Sequence, residues 1–151
     1  MKVERAMHVI AVRNLERSSA FYRDVLGFEV HEMGDDGWRV FAKDVCRIMA
    51  GECADAATPT AAEIGDHSYF AYLVVDDVDE VYRRVSRSAS GGGGGGARQA
   101  EIVKPLRDEP WGMRELGVRT VDGHRIMIGQ RVAADAPDEV ALAEDAPRNG
   151  S

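Results

Sequence analysis

The sequence predicts an α+β fold: two tandem βαβββ units forming a curled mixed sheet around a shared cup. Three observations predict it. Strand-like and helix-like hydrophobic periods follow one another in the order βαβββ, and then do so again. The ends of the two units share letters: Arg47-Ile48-Met49-Ala50-Gly51 closes the first and Arg125-Ile126-Met127-Ile128-Gly129 the second, 78 residues later. Their starts also match, Val12 to Leu15 against Val75 to Val78, at an offset of 63. The difference between the offsets requires an insertion in the second unit. Ser86 to Gly96, which ends in a run of glycines, supplies one.

Each element has a local reason. Residues 6–12 alternate as a strand. Asn14 offers an N-cap. Leu15, Ser18, Phe21, Tyr22, Val25 and Leu26 then keep helical spacing until Gly27 stops the helix. Residues 28–33 alternate again, Gly34-Asp35-Asp36-Gly37 turns, and Trp38–Lys43 and Val45–Ala50 follow as two strands around a tight turn. In the second unit Ser68–Val75 is rich in aromatic and β-branched residues, as a strand requires. Asp77 with Glu80 three residues on makes a capping box, and Val78, Val81, Tyr82 and Val85 make one helix face. Ile102-Val103, Arg114–Val121 and Arg125–Gly129 read as strands, the last two joined by the hairpin turn Val121-Asp122-Gly123-His124. The predicted organisation is a first unit at 1–53, a linker at 54–66 and a second unit at 67–131. A flexible Gly-rich insertion spans 86–100, and an acidic, mobile tail spans 132–151.

Composition narrows the function classes. The 151 residues are 44% hydrophobic and 30% charged, enough for one core. No uncharged run approaches the ~20 apolar residues of a membrane-spanning helix. The net charge is −7. Residues 133–151 carry five of the acids and one base, leaving 21 acids and 18 bases before them. A basic face for phosphates is therefore lacking, and nucleic acid is not an expected partner. The first residues contain no apolar leader segment, and the two cysteines, Cys46 and Cys53, suggest free thiols. Both point to a reducing cytoplasm.

The stretch Ser19-Ala20-Phe21-Tyr22-Arg23-Asp24-Val25-Leu26-Gly27-Phe28, set in paired βαβββ units, resembles the vicinal oxygen chelate superfamily. That superfamily includes glyoxalase I, extradiol dioxygenases, and fosfomycin- and bleomycin-resistance proteins. The run from Glu109 to Leu116, with Trp111-Gly112 before Arg114-Glu115, then Arg119 to Arg125, is similar to the bleomycin-resistance branch. The match departs at Val121, where that family usually has proline. The resemblance spans roughly residues 5–131.

The resemblance implies four metal-ligand positions, on the first and last strand of each unit. They fall on Met7 and Phe70, and on Met49 and Met127, spaced as the repeat demands. None is a donor for a hard or borderline divalent cation. No metal and no cofactor are expected. The four histidines, 8, 31, 67 and 124, have no short ligand spacing, though His67 could line a pocket mouth.

If Met7, Met49, Phe70 and Met127 face the cup, strand alternation adds Val9, Arg47, Tyr72 and Arg125. Trp38 and Trp111 are candidate stacking walls, and the resemblance implies that Trp111 borders the ligand groove. Arg114 and Glu115 alternate faces, so only one points inward; Glu115 could meet a ligand cation or an internal one. The predicted ligand-binding set is Met7, Trp38, Arg47, Met49, Phe70, Tyr72, Trp111, Glu115 and Met127. Thioethers and aromatics with sparse polar groups suit a small-molecule pocket. The same side chains could also simply fill the cup. No nucleophile set or phosphate loop is present, so no catalytic residue is assigned. The reading is a metal-free small-molecule binding protein that sequesters a planar or amphipathic ligand. A glyoxalase- or dioxygenase-like metal enzyme is the alternative. Exposed sheet edges predict a homodimer.

Overall fold

The computed structural model describes residues 1–55, 68–90 and 100–132. The predicted tail and most of the linker lie outside the described residues, as do the glycine run and His67. In the first unit, β1 (His8–Val12) pairs in parallel with β4 (Cys46–Glu52). Between them in sequence come β2 (Glu29–Glu32) and β3 (Trp38–Lys43), which complete an antiparallel meander, giving the order β1-β4-β3-β2. In the second unit, β5 (Ala71–Val74), β6 (Glu101–Asp108), β7 (Met113–Arg119) and β8 (Arg125–Arg131) repeat it as β5-β8-β7-β6. Among the described residues each unit carries one α-helix between its first two strands: α1 (Leu15–Ala20), continued by a π-helical turn over Phe21–Val25, and α2 (Val78–Ala89).

The repeat extends to the way the helices are capped. Asn14 accepts the backbone N–H of Arg17 at 2.8 Å, and Glu52, at the end of β4, accepts that of Leu15 at 2.8 Å. Asp77 accepts from Glu80 N–H at 2.8 Å, and Gln130, near the end of β8, accepts from Val78 N–H at 3.1 Å. Two of the orphan donors at each helix start are thus satisfied, one locally and one from the last strand. Only half of the predicted capping box forms, because the Glu80 carboxylate bonds Arg83 and Arg84 instead. Gly27, at φ +73°, ends the first helical segment in the left-handed region that a side chain disfavours.

Several elements differ from expectation. β5 begins at Ala71, three residues after Ser68, and the first helix passes into its π-helical turn at Phe21. β6 covers eight residues where Ile102-Val103 alone read as strand. Pro105 obscured it; β6 is an edge strand, where a missing N–H removes no ladder bond, and its register shifts on either side of Lys104. α2 runs on to Ala89, four residues into the segment read as insertion. β4 continues to Glu52, two residues past its predicted end, with Asp44 at φ +47° in the preceding turn.

The two sheets remain separate, with β1 and β5 both at edges. Their helix-covered faces meet in one apolar core that includes Ile10, Phe41, Ile48, Val85, Leu116 and Ile126. Tyr22 stacks on Phe41 at 4.4 Å and is fully buried. Phe41→Ala would cost about 3–5 kcal/mol. A polar contact joins the units too: Ser18 Oγ lies 2.9 and 2.8 Å from the carboxylate oxygens of Asp122. Because the helix faces are shared, the helix-free faces point away from the core. The expected cup is not closed by this chain.

Candidate functional site: the open sheet faces

Alternation along each strand sorts the side chains between core and open face. In the first unit Ile10, Val12, Ile48 and Ala50 go to the core. Met49 therefore faces outward, flanked by Val9 on β1 and Val40 on β3. Trp38 lies opposite Gly51 and its indole ring covers that glycine. Arg47 is on the same face, but its guanidinium folds back to donate to the Asp44 and Cys46 carbonyls at 2.6 Å each. Met7 precedes β1 and is exposed.

In the second unit Ala71, Leu116, Ile126 and Ile128 go to the core. Tyr72, Met127 and Glu115 therefore share the open face, with Tyr72 opposite Met127. Arg114 points to the helix side, toward Asp79 on α2, so Glu115 is the inward member of the pair. Phe70 is placed elsewhere. It lies just before β5, and its ring meets those of His8 at 5.7 Å and His124 at 5.8 Å in the seam between the units.

Glu115 is the centre of a convergent cluster. It is only 3% exposed. Its Oε1 accepts from the Tyr72 hydroxyl at 2.7 Å and from Trp111 Nε1 at 2.8 Å. Its Oε2 accepts from Lys104 Nζ at 2.7 Å. Lys104 also pairs with Glu109 at 3.1 Å, which in turn takes Arg107. Burial alone would raise the Glu115 pKa; the bonds from Lys104, Trp111 and Tyr72 outweigh it and hold the carboxyl below its ordinary value. Burial would lower the Lys104 pKa, and Glu115 and Glu109 reverse that to a net rise.

The chemical consequence is specific. An ionised carboxylate that holds three donors, one of them a lysine ammonium, is a poor proton acceptor, and a poor ligand for a further cation. What it does well is hold rings. Trp111 is clamped by Glu115 at its indole nitrogen and by Lys104, 5.6 Å from its ring centroid, yet stays 50% exposed. Tyr72 is held by its hydroxyl and is 41% exposed. Two aromatic rings are therefore fixed at their polar ends and bare on part of their faces.

The superfamily's metal was tested against these residues. The facing pairs are Val9 with Met49 and Tyr72 with Met127. Glu115, a carboxylate beside them, already accepts three protein donors, one of them the Lys104 ammonium. The set does not fit a divalent cation. Among the described residues, no group of three or more His, Cys, Asp or Glu is placed to hold one.

A groove of about 710 Å³ lies elsewhere, between the edge strand β5 and the β3–β4 hairpin. Its wall takes in Arg47 and Tyr72 but not Trp38, Met49, Trp111, Glu115 or Met127. The bonded ring cluster, not the groove, gathers most of the predicted residues of the second unit. Lys104 and Glu109 were not foreseen. The signal for Lys104 was hidden with its strand. Glu109 opens the run that resembles the bleomycin-resistance branch, and nothing else in the sequence marks it.

Residues 5–128 match the model of the Glyoxalase/Bleomycin resistance protein/Dioxygenase superfamily. The chain belongs to that superfamily. No curated protein matches it. Solved structures share the fold at low identity. One is a hypothetical protein from S. aureus, with TM-score 0.64 and 17% identity, covering 86% of this chain and 95% of that one. Another is a glyoxalase family protein from Bacillus cereus, with TM-score 0.62 and 17% identity, covering 88% and 97%. A third is a bleomycin-binding protein complexed with bleomycin, with TM-score 0.61 and 18% identity, covering 85% and 99%. At these identities the likeness establishes the fold and no more.

Proposed function

We propose that this member of the superfamily binds a planar or amphipathic small molecule on its open sheet faces, without a metal ion, and sequesters it. The observation that carries the reading is the Glu115 cluster, which presents Trp111 and Tyr72 as fixed, part-exposed rings beside Met127. Fixed aromatics lose little entropy on stacking, and thioethers adapt to irregular partners. A structural neighbour that binds bleomycin supplies the first compound to try. Trp111→Ala should weaken binding at least about tenfold, since it removes the area the ring buries on the ligand as well as the ~0.5–1.5 kcal/mol that stacking adds to it. The titration is followed by calorimetry across bleomycin and a panel of flat aromatic compounds. One tightly held metal per chain whose removal abolishes an activity would overturn the proposal in favour of a metal-dependent enzyme, and failure of every compound to bind would overturn it in favour of a purely structural or dimer role.

The reading includes a homodimer. Val9 is 62% exposed and Val74 61%, each on an edge strand with a free side. Covering these edges with a second chain would enclose the open faces into a complete site. Light scattering at micromolar concentration should give twice the chain mass; a monomer contradicts it. The unpaired thiols Cys46 and Cys53 suit the cytoplasm. No described helix is long and apolar enough to cross a membrane.

A further inference from the structure

Three glycines interrupt the open faces in mid-sheet: Gly51, Gly117 and Gly129. Glycine weakens a strand, so each has to be compensated by something. Their backbones do not demand it, because none has a positive φ, unlike Gly27, Gly34, Gly112 and Gly123. Space does. A Cβ on Gly51 would stand 2.8 to 2.9 Å from three atoms of the Trp38 benzo ring. A Cβ on Gly129 would overlap the Tyr72 hydroxyl and come within 3.2 Å of Glu115 Cγ. A Cβ on Gly117 would meet the Tyr69 hydroxyl at 2.8 Å. Gly51 and Gly129 are equivalent under the 78-residue repeat, each closing the shared Arg-Ile-Met motif. Yet the rings above them come from different strands, β3 in one unit and β5 in the other.

We propose that Gly51 and Gly129 are positioning residues for ligand recognition. Each leaves a seat one side chain deep, filled by the benzo ring of Trp38 over Gly51 and by the hydroxyl end of the Tyr72 ring over Gly129. Part of the floor of each open face is then aromatic where a glycine-free strand would raise a side chain of its own. Such a floor selects a flat conjugated ligand over a branched aliphatic one of equal area. The Gly129 seat does a second thing: it lets the Tyr72 hydroxyl reach Glu115, so that Tyr72 and Trp111 share one carboxylate oxygen. The inference rests on the binding role proposed above, but the seats themselves are testable without ligand.

The test is a cycle of stability and affinity. Gly51→Ala should lower the melting temperature by ~5 °C, the usual scale for forcing extra volume into a packed contact. In a Trp38→Ala background the same change should raise it, because alanine is otherwise the better strand residue. An equal effect in both backgrounds would show that Gly51 serves the backbone and would overturn the seat. With Trp111→Phe leaving Trp38 as the one tryptophan, Gly51→Ala should increase iodide quenching of its emission. The recognition role is read with 1-anilinonaphthalene-8-sulfonate as a flat-ring probe. Gly51→Ala and Gly129→Ala should each weaken its binding by about two- to tenfold. Unchanged affinity in folded variants would refute that role. If the wild-type chain binds neither this probe nor any flat compound, the binding reading itself falls and takes the recognition role with it. A coupled stability cycle would then leave the seats as architecture alone.

Discussion

Glu115→Gln isolates the charge at the centre of the ring cluster. The amide keeps the volume and one acceptor oxygen, so Tyr72 and Trp111 can still donate. Its NH2 group, however, meets Lys104 Nζ donor to donor, where the carboxylate accepted at 2.7 Å. Removing one partner of a buried ion pair costs about 3–5 kcal/mol. Lys104 keeps Glu109 at 3.1 Å, so the lower end, about 3 kcal/mol, is the expected loss. In a domain of this size that corresponds to roughly 6–12 °C in melting temperature. The pH dependence supplies a second reading of the same charge. The folded pKa of Glu115 lies below its ordinary 4.5, so its stabilisation is complete above that value and is lost as pH falls through the folded pKa. The wild-type urea midpoint should decline on acidification below pH 4.5, and the Glu115→Gln midpoint should decline less over that window. A double-mutant cycle with Lys104→Met should show coupling of at least ~1 kcal/mol. A melting temperature within 1–2 °C of wild type, roughly the noise of surface changes, would refute the reasoning, as would an additive cycle.

Tyr22→Phe should stabilise the chain by about 1 kcal/mol in urea unfolding, because its buried hydroxyl has no hydrogen-bond partner among the described residues. Glu52→Ala and Gln130→Ala should each cost about 1 kcal/mol and match within ~0.5, as equivalent caps on the two helices. Burial depresses the pKa of His124 below its ordinary 6.5, so stability should fall as pH drops below 6.5, and His124→Gln should flatten that slope. Asp122 beside it acts in the opposite sense, its pKa being raised by burial, and Asp122→Asn distinguishes the two. Met127→Glu adds a carboxylate to a face where Lys104 and Arg119 are already paired, with Glu115 and Glu101; stability should fall, with no stoichiometric metal binding by mass spectrometry.

The elements that the sequence made legible are those in which period and punctuation agree. Trp38–Lys43 was read to the residue, because a Gly turn precedes it and a tight turn follows. The helix caps Asn14 and Asp77 were read from residue type alone, and both accept the expected N–H. β6 failed because Lys104, Pro105 and Arg107 break the apolar pattern, and only the edge position of the strand makes them harmless. Edge position is a property of the sheet, which no window along the chain contains. The same holds for Glu52 and Gln130. Their helix partners lie 37 and 52 residues away, and only the repeat offsets could have paired them.

The candidate site divides along the same line. Alternation correctly put Arg114 and Glu115 on opposite faces, and left open whether Glu115 would meet an internal cation. The structure answers with Lys104, which sits on the strand that was only half seen. Phe70 went the other way: it precedes β5, and outside the strand alternation no longer governs its direction. The glycines are the clearest case. In the sequence Gly51 and Gly129 are two matching letters at the ends of a motif, with nothing to say why. The same letters serve both units because the requirement is the same, a bare patch of strand. The rings that use it, Trp38 and Tyr72, sit at unrelated places in their units, so no alignment of one half on the other pairs them. A repeat in sequence can thus preserve the seat while the occupant changes, and the two open faces can present different rings on a common floor.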